Sequence, residues 1–340
     1  MKFDITLIPE RLADVPALAH TSETIGASGL WVSETAHNPF LALTQAAAAT
    51  ERIELGTAVA IAFARSPMVT AQIAWDLAAQ SDGRFVLGLG SQVRAHITRR
   101  FGMPWSAPVP RMREYIGALR AIWTSFQTGV PLRFRGDEYR LGLLTPFFNP
   151  GPIEHPNIPI YLAGVNPGML TLAGEVADGC HVHPFHTGAY LREIVRPTIA
   201  RGAVAAGRRA EEITLSCAIF VVTGETKEAR TRSADLARTQ IAFYASTPSY
   251  RTVLEYHGWG DLQPRLNDLA RAGRWADMKA EIGDELLSAF AVIAPPDELP
   301  YAVRERYTGL LDRIGYYLPF PGDLLPERWW THSASALSNV

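Results

Sequence analysis

Short apolar runs alternate with longer amphipathic segments along most of the chain. The clearest run, Phe85 to Leu89, is continuous, which is typical of a parallel strand covered on both faces. Apolar runs fall at residues 3–8, 29–33, 53–61, 84–90, 158–164, 179–184, 213–222 and 313–318. Helical patterns fall at residues 15–25, 41–51, 67–80, 111–127, 167–177, 189–206 and 227–245. Eight strands alternating with helices predict one α/β domain, residues 1–340, folded as a TIM (β/α)8 barrel.

Two segments interrupt this alternation. Residues 132–141 alternate around Gly136 and Asp137, which predicts a surface hairpin between the fourth helix and the fifth strand. Residues 248–286 are helix-prone and predict a helical insertion after the seventh strand.

Composition and charge narrow the classes of partner. The 340 residues are 47% hydrophobic with a formal net charge of -2 and no long basic run. We therefore expect a small-molecule substrate, with neither nucleic acid nor a membrane surface as the main partner. No stretch approaches the roughly 20 apolar residues of a membrane span, and the first residues read as a strand, so we expect a cytoplasmic protein. Cys180 and Cys217 lack metal-type spacing and are expected to be reduced core thiols.

The fourth strand ends in glycines and opens into a polar, basic loop. Gly88 and Gly90 remove side chains where a ligand approaches the carboxyl ends of parallel strands. A dinucleotide fingerprint needs a third glycine, and Val93 stands in its place. The pattern therefore favours a ligand site that is not of the Rossmann type.

Three sequence motifs are similar to those of a known enzyme family. They are GRFVLGLGSQ, RMREYIGALRAIW and PIYLAGVNPGMLTLAGEVADG. Together they resemble the luciferase-like monooxygenase superfamily, in particular the branch that uses coenzyme F420, a deazaflavin hydride carrier. The resemblance extends from Met1 to Leu318 and implies a barrel of the bacterial luciferase type that binds F420 and pairs as a homodimer.

The resemblance also implies which residues bind the cofactor. In this family the third strand ends in a bulge whose non-prolyl cis peptide backs the cofactor ring, which corresponds to Ala58 and Val59. Ser91 and Gln92 would bond the ring edge or tail. Arg94, followed by His96, Arg99 and Arg100, would meet an acidic tail or a phosphate, and the alternative is that these four residues form only a solvated basic face. The phosphate-binding backbone matches Ala163, Gly164, Val165, Asn166, Gly168 and Met169. The turn is also consistent with an ordinary capped strand-to-helix connection, with Asn166 as the cap.

Histidines and one acid at strand ends are the candidate catalytic residues. Glu34 and His37 follow the second strand, where better-known F420 dehydrogenases carry Ser-Asp-His, but Thr35 replaces that histidine here. A buried Glu34 needs either a partner or a raised pKa. His183 and His186 follow the sixth strand and would donate a proton or hold a substrate oxygen. With His181 they also allow a metal site, which the absence of well-spaced acidic ligands disfavours, so no metal is expected.

Four loop aromatics are candidate walls of an apolar substrate pocket: Phe40, Trp105, Phe185 and Trp259. The residues Tyr244, Tyr250 and Tyr256, with His257, are assigned to the helical insertion and are candidates for a lid without an assigned role. The leading hypothesis is an F420-dependent oxidoreductase that moves a hydride between the deazaflavin and a small organic substrate. The first alternative is an FMN-dependent monooxygenase of the same superfamily, which uses reduced flavin and oxygen. A non-catalytic homologue that binds a cofactor or ligand is the second, suggested by Thr35 and by Val93, which stands where the sugar-phosphate dehydrogenases carry a glutamate.

Overall fold

Eight parallel strands form a closed barrel. The structure, a computed structural model, describes residues 1–320 and 324–338. The strands are β1 Lys2–Leu7, β2 Gly29–Val32, β3 Glu54–Thr57, β4 Phe85–Gly90, β5 Ile160–Gly164, β6 Gly179–Val182, β7 Thr214–Val222 and β8 Arg313–Tyr316. Each strand pairs with the next along the chain, and β8 pairs with both β7 and β1. The predicted TIM barrel is confirmed.

Helices cover the outside of the barrel. Between the first seven strands lie α1 Val15–Thr24, α2 Pro39–Ala49, α3 Pro67–Gln80, α4 Pro108–Thr128, α5 Pro167–Val176 and α6 Arg196–Ala205, and α7 Lys227–Ala245 follows β7. Three of them begin with a proline after a polar residue, as in Ser66 before α3, whose hydroxyl accepts a hydrogen bond from the Val69 N–H. Of these helices, α5 begins three residues after β5 ends, so its N-terminus lies close to the carboxyl end of that strand.

Two excursions lie where the sequence predicts a hairpin and a helical insertion. Phe134–Arg135 pairs antiparallel with Arg140–Leu141, and the Glu114 carboxylate accepts backbone N–H groups of the turn. After α7 come α8 Arg251–Tyr256, α9 Leu262–Arg271, α10 Trp275–Ala280 and α11 Asp284–Phe290, then a short strand, Ala291–Ile293, parallel to β7. α12 Leu299–Tyr307 and α13 Glu327–Ser338 were not predicted.

The amino-terminal end of the barrel interior is filled by an ion pair and aromatic rings. Arg313 donates to both oxygens of Asp4 at 2.8 Å, and the Trp31 indole N–H donates to Asp4 Oδ2 at 2.8 Å. Tyr161 stacks on Trp31 above this pair, with ring centroids 5.7 Å apart. Since the interior is packed at this level, a ligand has room only at the carboxyl ends of the strands.

Candidate active site

The third strand is interrupted by a bulge at the barrel mouth. The sequence predicts one strand over residues 53–61, but β3 stops at Thr57 and a short strand, Ala60–Ile61, then pairs with β4. The peptide bond between Ala58 and Val59 is cis, as the resemblance implies. The Ser33 hydroxyl donates to the Ala58 carbonyl at 2.8 Å, which fixes the half-buried bulge from β2.

Small residues lie beside the bulge. A Cβ atom placed on Gly90 would lie 2.6 Å from Val59 Cγ2 and 3.8 Å from the Ala163 Cβ, so β3, β4 and β5 present one shallow surface there. The predicted residues Ala58, Val59 and Ala163 are thereby brought together. A flat ring fits such a surface because no long side chain projects from it.

Glu34 lies in a buried ion pair. Its carboxylate accepts hydrogen bonds from Arg65 at 2.6 and 2.8 Å and from the Ile61 N–H at 2.7 Å. The Glu34 side chain is 6% exposed and that of Arg65 14%. Three of its roughly four acceptor positions are therefore taken, which leaves the carboxylate little capacity to bind a substrate. The carboxylate has the partner that the sequence required, and this placement does not support the predicted catalytic role.

His37 lies on the exposed rim. Its Nε2 is 3.1 Å from the Glu10 carbonyl oxygen in the loop after β1. This contact joins two loops at the carboxyl ends of the strands. The histidine is a surface residue and lies outside the barrel interior.

The loop after β4 forms a basic rim. Ser91 and Gln92 are half-buried, and Gln92 adopts a positive φ of 58° while its side chain accepts from the Val93 N–H at 2.9 Å. Arg94 and Arg99 are exposed, and within the described part of the chain neither guanidinium forms an ion pair. Arg100 donates to the Thr35 carbonyl at 2.5 Å. Positive charge is therefore free at the mouth for an anionic group.

The turn between β5 and α5 provides a helix N-terminus at the same level. Asn166 occupies the cap position, but its side chain makes no capping bond, contrary to the sequence expectation. Its carbonyl accepts the N–H groups of Met169 and Leu170 at 3.1 Å. Among the described residues nothing accepts the Gly168 N–H, and Asn166, Pro167 and Gly168 are exposed. The first turn of α5 can therefore receive a phosphate or carboxylate.

His183 follows β6 on the side of the sheet that faces the axis. Its Nδ1 accepts the Phe185 N–H at 3.1 Å, and its ring lies 4.5 Å from the Tyr244 ring and 4.4 Å from the Tyr250 ring. Burial, with a smaller contribution from His186, lowers the pKa of His183 to about 3. The ring is neutral near pH 7 with its proton on Nε2, because Nδ1 is already an acceptor.

The other two histidines of this segment do not line the mouth. His181 lies deeper in the barrel, with its ring 4.8 Å from Trp31 and 5.3 Å from Tyr161. His186 lies behind the sheet, where Nδ1 is 3.8 Å from Cys217 Sγ and the ring packs on Tyr307. His181 therefore lies below the mouth that His183 faces, and the placement of His186 does not support the predicted proton transfer to a substrate. The three rings lie at three different levels rather than around one point.

The four aromatic residues predicted to line a substrate pocket fall into two groups. Trp105 lies beside the mouth, and the other three pack against neighbouring side chains. Trp105 is half-buried beside the mouth, with its ring 6.1 Å from Phe63. Phe40 is buried with the Arg65 guanidinium 5.4 Å from its ring, and so supports the ion pair with Glu34. Phe185 is also buried and stacks on Phe290 at 4.5 Å, and Trp259 stacks on His257 at 4.8 Å within the insertion. Phe185 and Trp259 pack the insertion against the barrel, because the contact surface between insertion and barrel needs its own apolar core.

A group of half-buried tyrosines stands beside His183. Tyr244, in the last turn of α7 rather than in the insertion, bonds its hydroxyl to that of Tyr317 at 2.8 Å. Tyr250 packs on both Tyr244 and His183. Tyr317 has no predicted role, although it continues the inward-facing positions 313 and 315 of β8. This period of two was the available signal.

The buried histidines predict acid sensitivity of the fold. Burial lowers the pKa of His181 to about 3 and that of His186 to about 4, against about 6.5 in an unfolded chain. Below pH 6.5 the unfolded state binds protons that the folded state does not, so the free energy of unfolding falls from pH 6.5 toward 4 by about 1.4 kcal/mol per pH unit for each histidine. Urea unfolding at several pH values measures the slope of the unfolding free energy against pH. In His186→Leu this slope should be smaller by the contribution of one histidine. The matched surface change His37→Gln should leave the slope unaltered, and an unchanged slope in His186→Leu would contradict the assignment.

The chain is similar to proteins of known and unknown activity. A protein of Mycobacterium tuberculosis described as uncharacterized is 45% identical over 307 residues, 90% of each chain. The 5,10-methylenetetrahydromethanopterin reductase of Archaeoglobus fulgidus is 28% identical over 315 residues, again 90% of each. No helix in the described ranges combines the length and apolarity needed to cross a membrane.

Solved structures show the same fold. The coenzyme F420 dependent tetrahydromethanopterin reductase from Methanopyrus kandleri superposes with a TM-score of 0.81 at 21% identity, covering 98% of this chain and 97% of that one. An FMN-bound type II Baeyer-Villiger monooxygenase from Pseudomonas putida gives 0.68 at 16% identity, with coverages of 100% and 97%. The family model for luciferase-like monooxygenases matches residues 3–313. The chain therefore belongs to the luciferase-like monooxygenase family.

Proposed function

We propose that this protein is an F420-dependent oxidoreductase that moves a hydride between the deazaflavin and a small organic substrate. The observation that carries the proposal is the shallow surface formed by the Ala58–Val59 bulge, Gly90 and Ala163, with the N-terminus of α5 beside it. A tricyclic ring needs a surface without side-chain projections, and its phosphate-bearing tail needs backbone donors nearby. Both features lie at the ends of neighbouring strands.

The residues of the mouth have separable tasks in this proposal. The bulge supports one face of the ring, the Gly168 N–H receives the phosphate, and Arg94 and Arg99 attract an acidic tail. When bound, the cofactor supplies the redox chemistry as a hydride carrier. Of its two predicted roles His183 takes the second and holds a substrate oxygen through Nε2–H, since a neutral imidazole with Nδ1 engaged donates a hydrogen bond rather than a proton.

An FMN-dependent monooxygenase is the second candidate. It is supported by the FMN-bound monooxygenase of the same fold. The free arginines of the rim favour F420, because an acidic tail extends farther from the ring than the single phosphate of FMN. A homodimer and a cytoplasmic location remain predictions.

Titration of the purified protein with F420 and with FMN tests the cofactor, followed by quenching of tryptophan fluorescence. We expect a dissociation constant of about 1 μM or less for F420 and weaker binding of FMN. Arg94→Gln combined with Arg99→Gln should raise the F420 constant about tenfold and lower its dependence on salt.

The matched control is Arg133→Gln combined with Arg135→Gln in the surface hairpin. These arginines are equally exposed, so the control changes net charge by the same amount without touching the rim. Tighter binding of FMN would move the assignment to the monooxygenase. Binding of neither cofactor would overturn both enzyme assignments in favour of the non-catalytic homologue.

A further inference from the structure

We propose that the substrate is an uncharged carbonyl compound whose oxygen accepts hydrogen bonds from His183 Nε2–H and from the Tyr317 hydroxyl. The inference rests on the proposed function, since it names the substrate class of the same site. It follows from the direction of each donor and from the chemistry of the wall around them.

The first donor has a fixed tautomer. The Phe185 N–H donates to His183 Nδ1 at 3.1 Å, so the neutral ring carries its proton on Nε2. Tyr244 and Tyr250 hold the ring from two sides, at 4.5 and 4.4 Å between centroids. Among the described residues nothing accepts a hydrogen bond from Nε2. This N–H is therefore a positioned donor without a partner in the protein.

The second donor comes from the pair of tyrosines. The hydroxyls of Tyr244 and Tyr317 are 2.8 Å apart, so one of them donates a hydrogen bond to the other. This hydrogen bond raises the pKa of Tyr244 and, against the larger effect of burial, lowers that of Tyr317, as expected when the Tyr244 hydroxyl donates to the Tyr317 oxygen. The Tyr317 O–H is then left to donate to a ligand.

The aromatic rings around both donors carry no charge. The rings nearest His183 and Tyr317 are those of Phe220, Tyr244 and Tyr250. On the opposite side of the mouth, Glu34 and Arg65 neutralise each other in their buried pair. A carboxylate or phosphate of a substrate would lose its hydration at this wall without gaining a cation. A carbonyl oxygen needs only neutral donors, and apolar groups attached to it would lie against the tyrosine rings.

Acetophenone, benzoate and ethylbenzene form a matched set of probes of similar size. Acetophenone carries the neutral acceptor, benzoate a charged one, and ethylbenzene none. We expect acetophenone labelled with ¹³C at the carbonyl to bind the F420-loaded protein about tenfold more tightly than either of the other two. Its carbonyl ¹³C signal should move downfield on binding, as a hydrogen-bonded carbonyl does. Equal or tighter binding of benzoate would overturn the proposal.

Variants separate the two donors from general packing. His183→Phe and Tyr317→Phe should each reduce the downfield shift and weaken acetophenone binding several-fold, whereas His183→Gln, whose amide N–H can donate, should restore part of the shift. Tyr256→Phe is the matched control, because its hydroxyl lies in the insertion and donates to Glu193, just before α6, at 2.6 Å. A shift that survives in both donor variants would also overturn the proposal.

Two further measurements keep this inference apart from the proposed function. Fluorescence titration of the same variants reports F420 binding independently of the probes. Normal F420 binding without preference for the ketone refutes the carbonyl inference alone, whereas absent F420 binding refutes the proposed function. Imidazole ¹⁵N shifts of the protein without ligands should show the Nε2–H tautomer at His183, and the Nδ1–H tautomer would refute the first donor.

Discussion

Replacing Glu34 with alanine should lower the free energy of unfolding by about 3–5 kcal/mol. The change removes one partner of a buried pair and leaves the Arg65 guanidinium, whose side chain is 14% exposed, without its carboxylate. It also frees the Ile61 N–H directly after the bulge. Urea unfolding measures the loss of stability. F420 titration of the folded fraction should show weaker binding, because the bulge loses its anchor.

A double-mutant cycle separates the ion pair from simple loss of packing. Arg65→Leu should be destabilising by a similar amount, and Glu34→Ala combined with Arg65→Leu should cost much less than the sum of the two. Glu34→Gln keeps an acceptor for the Ile61 N–H and should fall between the alanine variant and the wild type. If Glu34→Gln instead kept full stability and lost only turnover, the catalytic role predicted from the sequence would hold after all.

The barrel could be predicted because each strand is a local apolar run beside a helix of period 3.6. The helices α12 and α13 were not predicted. The nine residues of α12 are too few for a strong periodic signal, and this helix is stabilised by contact with the barrel. Tyr307 of α12, for example, is buried against His186. Such tertiary contacts override a weak local pattern.

The sequence could predict which strand ends carry the site residues, but not which way their side chains point. Placing Glu34 and His183 near the mouth required only that they follow parallel strands. His186 needed more, because three residues of turn carry it past the end of β6 to the outer side of the sheet, beside Cys217. The Arg65 partner of Glu34 lies 31 residues away in sequence, and a single sequence does not show which cation will reach a given carboxylate.

Introducing valine at Gly90 should weaken F420 binding by about 10- to 100-fold with a smaller effect on folding. A Cβ atom at this position would lie 2.6 Å from Val59 Cγ2, closer than any van der Waals contact allows, so the Val59 side chain or the bulge that carries it must shift. Overpacking of this kind costs about 1–3 kcal/mol, and here the displaced group is the proposed support of the ring.

A graded series tests this prediction. Gly90→Ala should have a smaller effect than Gly90→Val, because its single methyl group already meets Val59 but adds no branches toward Ala163, which lies 3.8 Å away. Gly142→Val is the matched control, since a Cβ there meets no atom within 4 Å. Unaltered F420 affinity in Gly90→Val would mean that the ring lies elsewhere in the mouth. If F420 affinity falls from glycine to alanine to valine at residue 90 while the circular dichroism spectrum is unchanged, the ring lies against the bulge.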